Sequence, residues 1–256
     1  MIHMLEAACY SHKGNVRSNN EDNFYFDGAY MMSDNEGLSE IIDFRRFLKS
    51  GTGVAVFDGM GGGDYGEIAS FLAAEYMKEV LGLTGNIDSV HKFLNNICLG
   101  MNQRVIDKQE ELNNFRIGST VAGLYFYKQY AYAFNLGDSR IYCFRDNELM
   151  QLSKNHTNEQ YLKENGITGR KPRLLQHLGM NPDELQLEPH IVKFEYKRGD
   201  RFLICSDGLT DMVNNFEITD ILLTSGNVKN CAKTLVQSAL EHGGKDNVTV
   251  ILCQVH

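Results

Sequence analysis

Residues 119–152, STVAGLYFYKQYAYAFNLGDSRIYCFRDNELMQL, restrict the fold more than any other part of the chain. Apolar, aromatic and β-branched residues fill 119–127, 130–136 and 140–145. The breaks after them, Lys128-Gln129, Gly137-Asp138 and Asp146-Asn147, are short and rich in turn-forming residues. Runs of this composition read as strands, and strands joined by so few residues pair antiparallel, because a parallel pair needs a crossover of a dozen residues or more. The segment therefore reads as an antiparallel β-meander.

Further strands are expected at 5–10, 24–30, 53–57, 191–194, 201–206 and 247–255. Three helices show spacings of three and four. One carries Ile68, Leu72, Tyr76 and Val80; another carries Val90, Leu94, Ile97, Met101 and Val105. The last carries Val228, Cys231, Leu235 and Val236, and Gly243-Gly244 ends it. Helices set between groups of antiparallel strands imply an α+β protein with helices packed outside the sheets. Three prolines and the absence of repeats or low-complexity tracts advertise no boundary, so residues 1–256 are read as one domain.

Composition excludes several function classes. A net charge of −8 argues against a nucleic-acid backbone as partner. No apolar run approaches the ~18 residues of a membrane-spanning helix. The opening MIHMLEAACYSHKG lacks the basic start and apolar stretch of a secretory signal. The six cysteines form no C-x-x-C pair and no zinc spacing; most sit in apolar runs. They read as reduced core thiols in a cytoplasmic protein.

The stretch AVFDGMGGGDYGEIAS, 55–70, sets an aspartate at the mouth of an apolar run and crowds it with glycines. Gly61, Gly63 and Gly66 match G-x-G-x-x-G, the pattern that cradles a pyrophosphate at a helix N-terminus. Alternatively Asp58, at a tight turn, is a metal ligand, and the glycines leave room for metal and phosphate. The dinucleotide reading needs a parallel sheet, which the meander does not supply. The metal reading gains from other acids: Glu21 and Asp22 in NNEDN, Asp207 in CSDGL and Asp246 in GGKDN. Several carboxylates brought together would repel each other without metal. Hard cations such as Mg²⁺ and Mn²⁺ prefer such oxygen ligands. Two of them can activate a water for in-line attack on phosphorus. Arg17, four residues before Glu21, suits a phosphate anchor. Asp146, Asp183 and Asp200 read as ordinary turn residues.

In order along the chain, GNVRSNNEDN, AVFDGMGGGDYGEIAS, GSTVAG, NLGDSRIY, LSKNHT, LICSDGLTDMV and GKDNVTVIL resemble the motifs of the metal-dependent protein phosphatases of the 2C type. Members of that family remove phosphate from phosphoserine and phosphothreonine. The resemblance implies a four-layer α-β-β-α sandwich of two antiparallel sheets flanked by helices, and a centre of two Mn²⁺ or Mg²⁺ ions. By motif, Asp58 would bridge both ions, Glu21 and the Gly59 carbonyl would complete one site, and Asp207 and Asp246 would hold the other. Arg17 would bind the substrate phosphate, while Asp22, Asp138 and Asn247 would orient ligands or waters. Met60 stands where other branches carry a histidine, which leaves protonation of the leaving group to a metal-bound water. Asn155 replaces a family aspartate and implies, with Asp207, a weakened third-metal site. Residues 157–190 would form a flap whose Arg170, Lys171 and Arg173 meet phosphorylated substrates. The implied partners are phosphoproteins, including a serine/threonine kinase or its substrates, with the enzyme a cytoplasmic monomer. The alternative is a phosphatase-like binding or sensing module without turnover. The charged stretch 28–53 between two expected strands has no functional reading.

Overall fold

Strand β1 (Met4–His12) turns Leu5, Ala7 and Cys9 to one side and Ala8 and Tyr10 to the other, and both sides are apolar. β4 (Thr52–Met60) does the same, with Val54 and Val56 against Ala55 and Phe57. Side chains alternate along a strand, so strands apolar on both faces must lie between two buried surfaces. The computed structural model, in which residues 3–48, 51–61, 65–82, 87–113 and 115–256 are described, has that arrangement. One face of each sheet meets the other sheet, and the opposite face meets helices.

One sheet runs β3-β1-β12-β11-β8-β9, with β3 at Ile42–Phe47, β8 at Arg140–Arg145, β9 at Glu148–Gln151, β11 at Arg201–Cys205 and β12 at Val248–Val255. The other runs β10-β7-β6-β4-β2, with β2 at Asp22–Phe26, β6 at Val121–Tyr127, β7 at Tyr130–Leu136 and β10 at His190–Glu195. A two-residue strand, β5 (Gly118–Ser119), pairs the end of β4. Every described strand pair is antiparallel. Helices α1 (Gly66–Gly82) and α2 (Val90–Glu111) cover one sheet; α5 (Asn215–Thr224) and α6 (Val228–Glu241) cover the other. The short α3 (Glu159–Glu164) and α4 (Asp207–Thr210) complete the described helices. The four layers expected from the resemblance are present.

The meander needs correction. β6 and β7 form a hairpin in one sheet, but β8 and β9 form a hairpin in the other. Gly137-Asp138 is therefore not a hairpin turn; it is a corner that carries the chain across the sandwich. Gly137 adopts φ +100°, which a side chain would strain, and its carbonyl accepts from His156 N at 2.9 Å. The break looked like a hairpin because two polar residues between apolar runs fit either geometry. Asp58 also needs correction: it lies inside β4, not in a tight turn, and is opposite Asp22 of β2. The strand expected at 24–30 stops at Phe26, where Asp27 takes φ 53° and begins a turn closed by Ala29. The stretch 28–53 contains β3, whose alternation is weak because it is an exposed edge strand.

Candidate active site

Five chain segments deliver carboxylates to one cavity of about 400 Å³. The loop before β2 supplies Glu21, the end of β4 supplies Asp58, the β7–β8 corner supplies Asp138, and the ends of β11 and β12 that meet near α4 supply Asp207 and Asp246. Arg17, Gly59, Met60 and Lys171 also line it. Thus five carboxyl groups face two cationic side chains in one space.

Asp58 is held through its backbone. Its N–H donates to Thr120 Oγ1 at 3.1 Å, and its carbonyl accepts from Thr120 N at 2.9 Å. Thr120 Oγ1 and Ser139 Oγ share a hydrogen bond of 2.6 Å, tying this clamp to the corner that bears Asp138. Gly59 N donates to the Glu21 carbonyl at 3.1 Å. A Cβ on Gly59 would stand 2.2 Å from the Gly66 carbonyl oxygen and 2.5 Å from that of Glu21, so only glycine permits this three-way approach. The Glu21 carboxyl lies over the start of α1, where a Cβ on Gly66 would meet it at 2.8 Å, and helix N-termini favour negative charge.

Asn247 knits the site from beneath. Its Oδ1 accepts from Glu21 N at 2.8 Å, and its Nδ2 donates to the carbonyls of Lys13 and Asn19 at 2.8 and 2.9 Å. The loop bearing Arg17 and Glu21 is thereby fixed to the start of β12. Asp22 is buried outside the cavity lining and accepts from Ser206 Oγ at 2.7 Å, while Ser206 Oγ accepts from Thr249 N at 3.0 Å. This chain links β2, β11 and β12 behind Asp58.

The electrostatics are those of a charge-crowded pocket. Burial raises the Asp58 carboxyl well above the usual range, and Asp207, Asp22, Asp138 and Asp246 raise it further. Burial, then Asp207, pushes Asp138 up to about 6. Asp22 rises to about 7, again by burial first. Glu21 is raised by burial and then by Glu67. The all-oxygen donor set, crowded enough to resist its own ionisation, fits a hard divalent cation. Among the described residues, no three acidic or imidazole side chains already close on a single point. Instead, Arg17 takes Asp246 Oδ2 at 2.7 Å, and Lys171 takes Asp207 Oδ2 at 2.7 Å and Asp211 Oδ2 at 3.0 Å.

The residues named from sequence are accordingly brought together, with two exceptions. Asn155 does not line the cavity; its Oδ1 accepts from Gln151 Nε2 at 2.8 Å. Of the flap cations, Lys171 reaches the cavity, whereas Arg170 and Arg173 do not line it. Gly62 and Gly63, part of the glycine cluster read as leaving room for metal and phosphate, lie outside the described residues. Thr120, Ser139, Ser206 and Asp211 were not singled out in the sequence. Their signal was adjacency to the motifs GSTVAG, GDSR and CSDGLTD. Asp200, read as a turn residue, takes two bonds from Arg145 at 2.8 and 2.7 Å.

The fold and this acid-lined cavity define a metal-dependent phosphatase. The family profile described as Protein phosphatase 2C matches residues 44–241. The chain is 28% identical to serine/threonine phosphatase stp of Listeria welshimeri, covering 98% of this chain and 96% of that protein. It is 31% identical to protein phosphatase PhpP of Streptococcus pneumoniae, over 80% and 86% of the two chains. The catalytic domain of the serine/threonine protein phosphatase PstP, solved with two manganese ions, superposes with a TM-score of 0.78 at 29% identity, covering 99% of each chain. The chain therefore belongs to the protein phosphatase 2C family, the metal-dependent serine/threonine protein phosphatases.

Proposed function

We propose that the cavity around Asp58 is where this chain hydrolyses phosphoserine and phosphothreonine in proteins. The observation that supports it most is the convergence of Glu21, Asp58, Asp138, Asp207 and Asp246 on one space. In this reading Glu21, Asp58, the Gly59 carbonyl, Asp207 and Asp246 would hold two Mn²⁺ or Mg²⁺ ions. When bound, the ions supply a water acidic enough to attack phosphorus at neutral pH and offset charge on the phosphoryl oxygens.

The chain's own groups do the rest. The Asn247 amide and the Thr120 clamp fix the relative positions of Glu21 and Asp58. Asp138, on a corner braced by Ser139, lines the cavity and would orient ligands or waters there. Arg17 spends one donor on Asp246 and keeps others for phosphate oxygens, which a guanidinium binds in pairs. Met60, at the rim, has no proton to give.

We read residues 1–256 as one domain working as a monomer in the cytoplasm, on phosphoproteins that include a serine/threonine kinase or its substrates. The six free, buried cysteines are consistent with a reducing compartment, and among the described residues no helix is long and apolar enough to cross a membrane. Phosphate release from a phosphothreonine peptide with Mn²⁺, before and after EDTA, tests the reading. Activity that survives EDTA would refute the metal assignment.

A further inference from the structure

Lys171 extends from the 157–190 segment, and its ammonium sits between Asp207 and Asp211 at 2.7 and 3.0 Å. The segment places it there by backbone contacts two and three residues away. Thr157 and Leu174 form a β-bridge, Asn158 N donates to the Arg173 carbonyl at 3.0 Å, and Arg173 N donates to Asn158 Oδ1 at 2.7 Å. Leu175 N donates to the His156 carbonyl at 2.7 Å. Lys171 is thus two residues from an anchored position, and its reach to Asp207 is not that of a free loop tip.

The two partners differ in accessibility. The Asp207 side chain is 15% exposed, whereas that of Lys171 is 59% exposed. A withdrawn carboxylate is neutralised by a cation that remains open to water. An ammonium carries one charge and only donates. A divalent cation on the same Asp207 oxygen would stand within a few ångströms of the ammonium, and the repulsion between the two cations favours the lysine leaving. The ion that arrives brings twice the charge, and the lysine that leaves returns to solvent at little cost.

We propose that Lys171 is an internal counter-cation for Asp207, displaced when a divalent metal takes that carboxylate, so that metal loading releases the segment around 170–173 from the rim of the active site. The inference rests on the assignment of Asp207 as a metal ligand. It gives the 157–190 segment two states. In one, the lysine closes over the acids and offsets their repulsion. In the other, the freed ammonium and its neighbours face an incoming phosphoprotein.

The test combines Mn²⁺ binding by calorimetry with hydrogen exchange on the full chain, using wild type, Lys171→Gln, Arg173→Gln and Asp207→Asn. Lys171→Gln should tighten Mn²⁺ binding about fivefold, equivalent to about 1 kcal/mol. Arg173→Gln should leave it unchanged. In wild type, Mn²⁺ should speed exchange of the Arg173 amide, which donates to Asn158 Oδ1; in Lys171→Gln that amide should already exchange faster without metal. Unchanged Mn²⁺ affinity in Lys171→Gln, an equal gain in Arg173→Gln, or slowed exchange on adding Mn²⁺ would each overturn the proposal. If Asp207→Asn loses Mn²⁺ binding while Lys171→Gln behaves as wild type, the counter-cation idea alone fails. If Asp207→Asn binds Mn²⁺ as wild type does, the ligand assignment fails and this inference with it.

Discussion

Replacing Asn247 with alanine removes the side chain that joins the Arg17–Glu21 loop to β12. The amide is buried, with 5% exposure, and makes three hydrogen bonds: one to Glu21 N and two to the carbonyls of Lys13 and Asn19. A neutral hydrogen bond contributes about 1 kcal/mol net, and a buried group left without its partner costs more. Lys13 and Asn19 lie near solvent, so water can reach their carbonyls after the loss, which keeps the total near the lower bound. Asn247→Ala should therefore lower stability by about 2–3 kcal/mol, measured by urea unfolding in EDTA. For a chain of this size that is a fall of roughly 4–12 °C in Tm. The same change should weaken Mn²⁺ binding, because Glu21 loses the bond that sets its backbone. Asn247→Asp should do at least as badly, since it faces two carbonyl oxygens with a carboxylate beside Asp246. A loss below ~0.5 kcal/mol with unchanged Mn²⁺ affinity would refute the idea that this amide organises the site.

Three further outcomes follow from the same geometry. Asp58→Asn should abolish Mn²⁺-dependent turnover yet raise Tm in EDTA, because it removes a buried carboxyl, opposite Asp22, whose ionisation the fold opposes; calorimetric scans with and without Mn²⁺ check both halves. Arg17→Ala should raise KM for phosphopeptides several-fold and leave Mn²⁺ binding nearly intact; if Mn²⁺ affinity collapses while KM holds, its pairing with Asp246 is its whole role. The Asp22 carboxyl rises from its ordinary value to about 7 in the fold, so the folded state binds a proton that the unfolded chain releases near pH 4. That term stabilises the protein below about pH 4 and is lost as pH rises through about 7. Metal-free protein should therefore unfold at higher temperature at pH 5.5 than at 7.5, and the gain should shrink in Asp22→Asn. His156, which burial lowers to about 4, opposes this trend below pH ~6.5, so the comparison between the two proteins is the readout.

The elements that could be read from sequence are those with strong local pattern. β6, β7 and α6 appear within a residue or two of their expected bounds, because period and turn residues are local; α2 begins at the expected Val90 but runs on to Glu111, past the last periodic residue at Val105. Which sheet a strand joins is not local. The Gly137-Asp138 break looked like a hairpin, and only the pairing of β8 with β11 shows that it crosses the sandwich. Site acids were legible because Asp58, Asp207 and Asp246 each sit in a quoted motif. Their clamps were harder to see. Thr120 and Ser139 act through contacts between segments, and Ser206 matters only because Asp22 comes to it from 184 residues away. Lys171 was legible as a basic residue near the site, but its seat between two aspartates depends on the anchor formed by Asn158 and Arg173.

The most direct test is phosphate release from a phosphothreonine peptide by purified protein titrated with Mn²⁺, run for wild type and Asp58→Asn side by side. The site described above predicts no release in EDTA, saturable activation of wild type by Mn²⁺, and a loss of several orders of magnitude in Asp58→Asn at every Mn²⁺ concentration. Comparable turnover by Asp58→Asn, or wild-type turnover independent of Mn²⁺ and Mg²⁺, would contradict the assignment of this cavity as the metal-dependent catalytic centre.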